Sequence, residues 1–140
     1  MSIEENKAIV REYHERMNRR DFSVIDELLS EDFIIHRSDG LTGDRDIFKQ
    51  ANIDDAFPDS VRTIEDIIAE GDRVALRESI RGTHSRKFRN VEATGKIVNT
   101  SRYIFFRVSG NKIAEMWYLS DYLNIYQQIG ALPPTEKIGG

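Results

Sequence analysis

The sequence predicts one α+β domain in which N-terminal helices sit inside a curved antiparallel sheet that encloses a pocket. Helical periodicity is confined to the first part of the chain, and long strands separated by glycine turns fill most of the rest. Helices followed by strands favour an α+β fold over an alternating parallel one. Three helices beside a few long strands indicate a sheet that curls into a cone or α+β barrel. Its open end would leave a cavity, and small-molecule sites form in such cavities.

The helices follow from caps and apolar spacing. Ser2 and Glu5 have the spacing of a capping box for a first helix that ends near residue 20. Asp21 can cap a second helix, and Pro58 ends a third because a proline disfavours helical backbone at the preceding residue. The second and third helices are predicted over residues 22–29 and 44–57, with a short strand at 32–37 between them.

The strands follow from long apolar runs bounded by turns. Gly71-Asp72 and Gly110-Asn111 are hairpin signals, and Gly130 ends a short closing helix before two prolines. The predicted strands cover residues 62–69, 73–84, 96–108 and 113–121, and the helix covers 122–129. No linker divides residues 1–140, so we expect a single domain whose tail, 135–140, is flexible.

Composition excludes several classes of function. The 140 residues carry a net charge of -4, whereas a nucleic-acid-binding face needs clustered positive charge. The chain has no cysteine, no basic-then-apolar leader and no apolar run of the roughly 20 residues that a membrane span needs. A P-loop, a G-x-S-x-G elbow and histidine pairs at metal-ligand spacing are also missing. We therefore expect a cytoplasmic protein without a nucleic-acid, membrane or metal partner.

Side-chain parity sorts the last two strands into two faces. On the last strand one face is predicted to carry Ile113, Glu115, Trp117, Leu119 and Asp121, and the other Ala114, Met116, Tyr118 and Ser120. On the strand before it, Tyr103 and Phe105 lie on one face, and Ile104 and Phe106 lie on the other. Both faces are apolar, although a half-exposed antiparallel strand is polar on one side. The simplest explanation is that one face lines the cavity and the other meets a second copy, which predicts a homodimer through the sheet. The alternative is that the C-terminal helix covers the second face.

Six motifs occur in order along the second half of the chain. They are FPD at 57–59, AEGDRVALR at 69–77, GTH at 82–84, TGK at 94–96, NKIAEMWYLSD at 111–121 and QQIGALP at 127–133. With these motifs the chain resembles the SnoaL-like polyketide cyclases, whose fold is that of nuclear transport factor two. The resemblance implies a conical fold with a deep pocket, dimers or tetramers, and no metal or organic cofactor.

The resemblance also implies site residues. In the family an aspartate at the end of the last strand acts as acid and base in an aldol cyclisation of a polyketide ester, and Asp121 occupies that place. His36 falls where many relatives carry a histidine. We therefore expect Asp121, His84 and His36 to be catalytic, and the expected substrate-binding residues are Trp117, Tyr103, Phe57 and Phe105.

Each candidate has a structural alternative. Asp121 directly precedes a helix and is a suitable N-cap. His84 can be hydrogen-bonded to a loop carbonyl at a strand end, and His36 follows an apolar run that leads either into the pocket or elsewhere. The aromatic residues can be plain core, and His14, on a charged helix turn, is expected to be solvated.

The chain departs from the family pattern at Arg86, Asn90, Glu78 and Arg107. Relatives usually have glycines where this chain has Arg86 and Asn90, and often an apolar or aromatic residue at the position of Glu78. Arg107 lies on the strand where cyclising members can carry a histidine near the ligand. Arg107 can anchor an anionic substrate group or form a surface salt bridge. The leading hypothesis is acid/base chemistry on a hydrophobic carbonyl compound. A ligand carrier or sensor, or a structural dimerisation module, are the alternatives.

Overall fold

The computed structural model describes residues 2–50 and 55–137. The capping box forms as predicted, because Ser2 Oγ accepts from Glu5 N at 3.1 Å and Glu5 Oε1 accepts from Ser2 N at 3.3 Å. The elements in chain order are α1 (Ile3–Asn18), α2 (Val24–Leu28), β1 (Leu29–His36), β2 (Thr42–Gly43), α3 (Arg45–Gln50), β3 (Val61–Glu70), β4 (Arg73–Thr83), β5 (Ile97–Ser109), β6 (Lys112–Ser120), α4 (Tyr122–Gln128) and a 3-10 turn (Thr135–Lys137).

Six strands form one curved sheet in the order β2-β1-β6-β5-β4-β3. The pairs β1–β2, β3–β4, β4–β5 and β5–β6 are antiparallel, as predicted, but β1 pairs with β6 in parallel. A parallel pair needs a crossover, and here the chain makes α3 and four strands, β2 to β5, before β6 returns to β1. The sheet does not close, since β2 and β3 stay at its edges, so the expected barrel is corrected to an open curved sheet.

Helices α1 and α2 cover the inner face of the sheet. Their Val10, Tyr13, Met17 and Ile25 join inward side chains of β1, β4, β5 and β6 in one buried cluster. Phe106 of β5 is at its centre, with its ring centroid 5.9 Å from that of Tyr13 in an edge-to-face arrangement. No helix within residues 2–50 and 55–137 is long and apolar enough to cross a membrane.

The third helix is shorter than predicted. Asp44 Oδ1 accepts from Ile47 N at 3.0 Å at its start, and the helix spans Arg45–Gln50. Residues 51–54, part of the predicted helix, lie outside the described residues. Phe57 is buried but not helical, which corrects the predicted end at residue 57. In the tail, Thr135 Oγ1 accepts from Gln127 Nε2 at 3.0 Å, and 138–140 lie outside the described residues.

A β-bulge changes which face of β6 points inward. Arg107 is opposite Glu115 and Val108 is opposite Ile113, so Ala114 is an extra residue in β6. The alternation of side chains along β6 therefore shifts by one residue at the bulge, so a face assigned by counting in steps of two from Ile113 is wrong for the residues after it. The inner face carries Ile104, Phe106, Met116, Tyr118 and Ser120.

The outer face carries side chains that were expected in the cavity. Tyr103, Phe105 and Leu119 are 53%, 55% and 61% exposed. The prediction that Tyr103 and Phe105 line the cavity is therefore corrected. Helix α4 does not cover this face, because its buried Ile125 packs in a cluster with the inward Val98.

Candidate functional site

A cavity lies between the helices and the inner face of the sheet. Side chains from the helices and from the sheet line it. Its empty space, including the part that opens to solvent, is about 690 Å³. The apolar lining comes from Met17, Ile25, Ile35, Ile47, Phe48, Ile104 and Met116, and the polar lining from Tyr13, Arg37, Arg62, Arg102, Tyr118, Ser120 and Tyr122.

Tyr118 and Arg102 converge at the polar part of this lining. The guanidinium carbon of Arg102 lies 5.9 Å from the ring centroid of Tyr118. Burial, with the neighbouring Tyr122 hydroxyl, raises the pKa of Tyr118 to about 12. The Tyr118 hydroxyl therefore stays protonated at neutral pH and can donate a hydrogen bond to a ligand oxygen.

A buried carboxylate holds Arg102 from behind. Glu78 Oε1 accepts from Arg102 Nη2 at 2.6 Å and from Nε at 2.8 Å, and His14 Nε2 lies 3.0 Å from Glu78 Oε2. Burial alone would raise the pKa of Glu78, but the charge of Arg102, the contact with His14 and the charge of Arg62 lower it to about 2. His14 is buried, so the expectation that it is solvated is wrong.

Asp121 lies outside the cavity. Its side chain is exposed, and Oδ1 accepts from Asn124 N at 3.0 Å, which makes Asp121 the N-cap of α4. The carboxyl was expected to project from β6 into a dry pocket, and that placement is corrected. The outward direction follows from the bulge in β6, which reverses the expected facing of the strand's last residues.

His84 is fully buried in a second apolar cluster. Its Nδ1 lies 2.9 Å from Thr94 Oγ1 and accepts from Thr94 N at 3.3 Å, so its partner is a loop hydroxyl and amide where a carbonyl was expected. Its ring stacks on Phe57 with centroids 5.5 Å apart. Phe57 also packs with Phe88 and Ile125 of α4, so both predicted site residues belong to the packing under the C-terminal helix.

His36 and Trp117 lie together on the outer face. Their rings stack with centroids 4.9 Å apart and 5° between their planes. His36 Nε2 is 2.6 Å from Glu115 Oε2, and Arg107 Nε donates to Glu115 Oε1 at 3.0 Å. Burial raises the pKa of Glu115, but these contacts with His36 and Arg107 outweigh burial and lower it. Arg107 thus forms the salt bridge that was one of its two alternatives.

The loop after β4, where relatives usually have glycines, contains one non-glycine residue with left-handed backbone. Arg86 and Asn90 do not have left-handed backbone, whereas Arg89 between them has φ 55°. The guanidinium carbon of Arg89 lies 4.1 Å from the ring centroid of Tyr122. The contact with α4 explains how an arginine is held in this conformation.

The three predicted catalytic residues therefore do not converge. Asp121 caps α4, His84 lies in the second apolar cluster, and His36 is on the outer face. A catalytic role for each of them stays a prediction, but the three side chains do not form one site. Across residues 2–50 and 55–137, no cluster of three or more His, Cys, Asp or Glu is placed to hold a metal ion.

Comparison with known proteins decides the family. Residues 7–129 match the family model described as SnoaL-like polyketide cyclase. The chain belongs to the SnoaL-like polyketide cyclase family. This confirms the resemblance that the six motifs suggested. No curated protein matches the sequence.

Solved structures of SnoaL-like proteins have the same fold. AclR from Streptomyces galilaeus, called a putative hydroxylase, is 32% identical over 94% of this chain and 100% of its own, with a TM-score of 0.86. IdmH from Streptomyces antibioticus, called a putative polyketide cyclase, is 29% identical over 89% of this chain and 98% of its own, with a TM-score of 0.80. A putative SnoaL-like polyketide cyclase from Jannaschia is 20% identical over 94% of this chain and 95% of its own, with a TM-score of 0.80.

Sequence reasoning missed the polar residues of this SnoaL-like cavity. Tyr118 was assigned correctly to the face opposite Trp117, but the face of Trp117 was expected to line the pocket, and Arg102 was not considered as a site residue. Glu78 was noticed as a departure from the family pattern. Its contact with His14 joins α1 to β4, and a single sequence gives no direct signal for a contact over that separation.

Proposed function

We propose that this protein acts by acid/base chemistry on a hydrophobic carbonyl compound, such as a polyketide ester, in the cavity between the helices and the sheet. Ring closure, isomerisation and hydration are the reactions of this class. The observation that carries the proposal is the convergence of Tyr118 and Arg102 in the polar part of a lining whose other part is apolar. Membership of the family supports the class of substrate.

The two polar side chains suit the acid half of such a reaction. Removing a proton beside a carbonyl builds negative charge on its oxygen, and hydrogen-bond donors fixed in a dry site stabilise that charge. Tyr118 keeps its proton because its pKa is raised to about 12, and Arg102 is held in place by Glu78. Loss of one such donor typically lowers the rate by 10²–10³-fold.

A ligand carrier or sensor is the second candidate. None of the described residues that line the cavity is a carboxylate, and Asp121 lies outside it, so these residues offer no evident base. A carrier needs only the cavity and the donors. Binding without turnover distinguishes the carrier from the enzyme.

Deuterium exchange tests the two candidates. We suggest 2-tetralone as the probe, because it is hydrophobic and its protons beside the carbonyl exchange through an enol or enolate. Exchange in deuterated buffer is followed by NMR, and binding is measured by calorimetry. The variants are Tyr118→Phe and Arg102→Met. Arg107→Met is the matched control, because Arg107 lies on the same strand as Arg102 but faces outward.

An enzyme should accelerate exchange, and each cavity variant should lose about 10²-fold of that acceleration while the control keeps it. Binding of 2-tetralone without accelerated exchange would favour the carrier. Exchange that is unaffected in both cavity variants would contradict the assignment of Tyr118 and Arg102.

We also propose that two copies of the chain pair through the outer face of the sheet. Phe105 and Leu119 are more than half exposed there, and Tyr103 extends the same apolar surface. Contiguous apolar surface of this kind is typical of interfaces between proteins. Covering it with a second copy removes these side chains from water without a further partner.

Light scattering coupled to size exclusion tests the dimer. The wild-type chain should have twice the monomer mass, and Phe105→Glu should shift it to the monomer because it would bury a charge in the interface. Leu41→Glu is the control, since Leu41 is equally exposed but lies in the loop before β2. A monomeric wild-type chain at high concentration would overturn the proposal.

A further inference from the structure

Three ionisable side chains are buried together beside the cavity. Glu78 of β4 has a side chain only 1% exposed, and it contacts Arg102 of β5 and His14 of α1. Those two side chains are 14% and 9% exposed. The cluster thus joins the first helix to the middle of the sheet.

Stability alone does not account for this cluster. Moving a charged group out of water costs several kcal/mol, and a buried ion pair is often no more stabilising than apolar side chains of the same volume. Buried ionisable groups with displaced pKa values are instead concentrated at functional sites. Glu78 has such a value, and its partner Arg102 borders the cavity.

Arg102 contacts the buried carboxylate and also the cavity. Its Nη2 and Nε donate to the same oxygen of Glu78, which fixes the plane of the guanidinium. Tyr118 lies beside it with a protonated hydroxyl. Arg37, which pairs with the exposed Asp39 at 2.8 Å, and Arg62 border the same cavity, and the described lining itself contains no carboxylate. The lining therefore combines apolar walls with positively charged and hydrogen-bond-donating groups.

We propose that this cavity selects hydrophobic ligands that carry an anionic oxygen over neutral ligands of the same shape. Arg102 and Tyr118 bind that oxygen, which belongs to a carboxylate or to the enolate of an acidic carbonyl compound. Glu78 and His14 are positioning residues that act through Arg102. The inference rests on the proposed function, because it specifies the charge of the ligand that the same cavity takes.

In this proposal Glu78 and an anionic ligand both contact the guanidinium of Arg102. Removing the charge of Arg102 and removing the charge of Glu78 should therefore have opposite effects on ligand binding. Arg102→Met should weaken binding of an anion, because it removes the positive charge. Glu78→Gln should strengthen it, because the charge of Arg102 is then no longer neutralised by a neighbouring carboxylate. A purely structural role for the ion pair would weaken binding in both variants.

The experiment compares 2-naphthoate with 2-naphthamide, which have the same ring system and nearly the same shape but differ in charge. Affinities are measured by calorimetry at neutral pH for wild type, Arg102→Met, Glu78→Gln and the outer-face control Arg107→Met. Wild type and the control should prefer naphthoate by about tenfold, as expected for one added charge-assisted hydrogen bond. The preference should vanish in Arg102→Met and rise about fivefold in Glu78→Gln.

Equal affinity of wild type for the two probes, or an unchanged preference in Arg102→Met, would overturn the inference and leave the cavity function standing. Failure of both probes to bind would count against the cavity function itself. Circular dichroism checks that each variant is folded. Should Glu78→Gln not fold, Arg102→Lys replaces it: it should keep part of the preference, since it retains the charge without the planar fork.

Discussion

Replacing Glu78 with Gln tests whether the buried carboxylate is ionised in the folded protein. The substitution keeps the shape of the side chain and removes its charge. Burial on its own would raise the pKa of Glu78, but Arg102, His14 and Arg62 lower it from 4.5 to about 2. The charged form of Glu78 is therefore favoured in the folded state in spite of its burial. The size of the pKa decrease sets the loss of stability expected for Glu78→Gln.

The lowered pKa stabilises the folded state on the alkaline side. A carboxylate with a lower pKa in the folded than in the unfolded chain contributes its full stabilisation above pH 4.5 and loses it as the pH falls toward 2. A decrease from 4.5 to about 2 corresponds to about 3 kcal/mol. At pH 3 the same relation gives a stabilisation of the folded state of about 1 kcal/mol. The full contribution is similar in size to the 3–5 kcal/mol that breaking a buried ion pair costs.

Urea unfolding measures this contribution directly. Trp117 is the only tryptophan of the chain, so its fluorescence reports unfolding without a label. Glu78→Gln should be about 3 kcal/mol less stable than wild type at pH 7, and the difference should shrink to about 1 kcal/mol at pH 3. The control is Glu65→Gln, because Glu65 is an exposed carboxylate that accepts a hydrogen bond from Ser79 on the neighbouring strand. It should change stability by no more than about 0.5 kcal/mol.

Two results would refute the reasoning. A difference between wild type and Glu78→Gln that is the same at pH 7 and pH 3 would mean that folding does not lower the pKa of Glu78. A variant as stable as wild type at pH 7 would mean that the ion pair with Arg102 contributes nothing net. In either case the cluster could not hold Arg102 for a ligand in the way we propose.

Three further substitutions have expected outcomes in thermal or urea unfolding. Asp121→Ala should cost about 1 kcal/mol, because α4 loses its N-cap, whereas Asp121→Asn should be nearly neutral and keep any exchange activity. Retention of full stability by Asp121→Ala would contradict the capping role. Phe106→Ala should cost about 3–5 kcal/mol, because the ring is 0% exposed and its removal leaves a cavity in the core. A loss below 1 kcal/mol would argue against its central position. Gly82→Ala should cost about 1–3 kcal/mol, since the new Cβ would lie 3.0 Å from Ser60 Cβ and 3.1 Å from its Cα. An alanine variant as stable as wild type would show that this contact relaxes freely.

Local signals in the sequence were sufficient to predict most of the helices and strands. The hairpin turns have the backbone that their residues favour, since Gly71, Gly110 and Asn111 all have positive φ. The strands that these turns join agree with the predicted ones to within one or two residues. Turn chemistry and strand alternation act within a few residues of each other, so they can be read without knowledge of the fold.

The candidate site was predicted less well, because it depends on one extra residue in β6. Parity placed Trp117 with the buried Ile113, which suggested that Trp117 faces inward. The bulge at Ala114 breaks that relation, and Met116 and Tyr118 face the cavity instead. A bulge has no reliable composition signal, yet it exchanges the two faces of every residue beyond it.

The buried ionic cluster had a signal in α1 that periodicity could have used. Asn6, Val10, His14 and Asn18 repeat at intervals of four, so they form one stripe on the same face as buried residues. Three of the four are polar, and a polar group on a buried stripe needs a partner. Asn6 donates to a carbonyl of the β3–β4 turn at 3.1 Å, and Asn18 exchanges two hydrogen bonds with the backbone of β3 at 2.7 and 2.9 Å. By the same argument His14 required a polar partner in the sheet, and only the fold could identify that partner as Glu78.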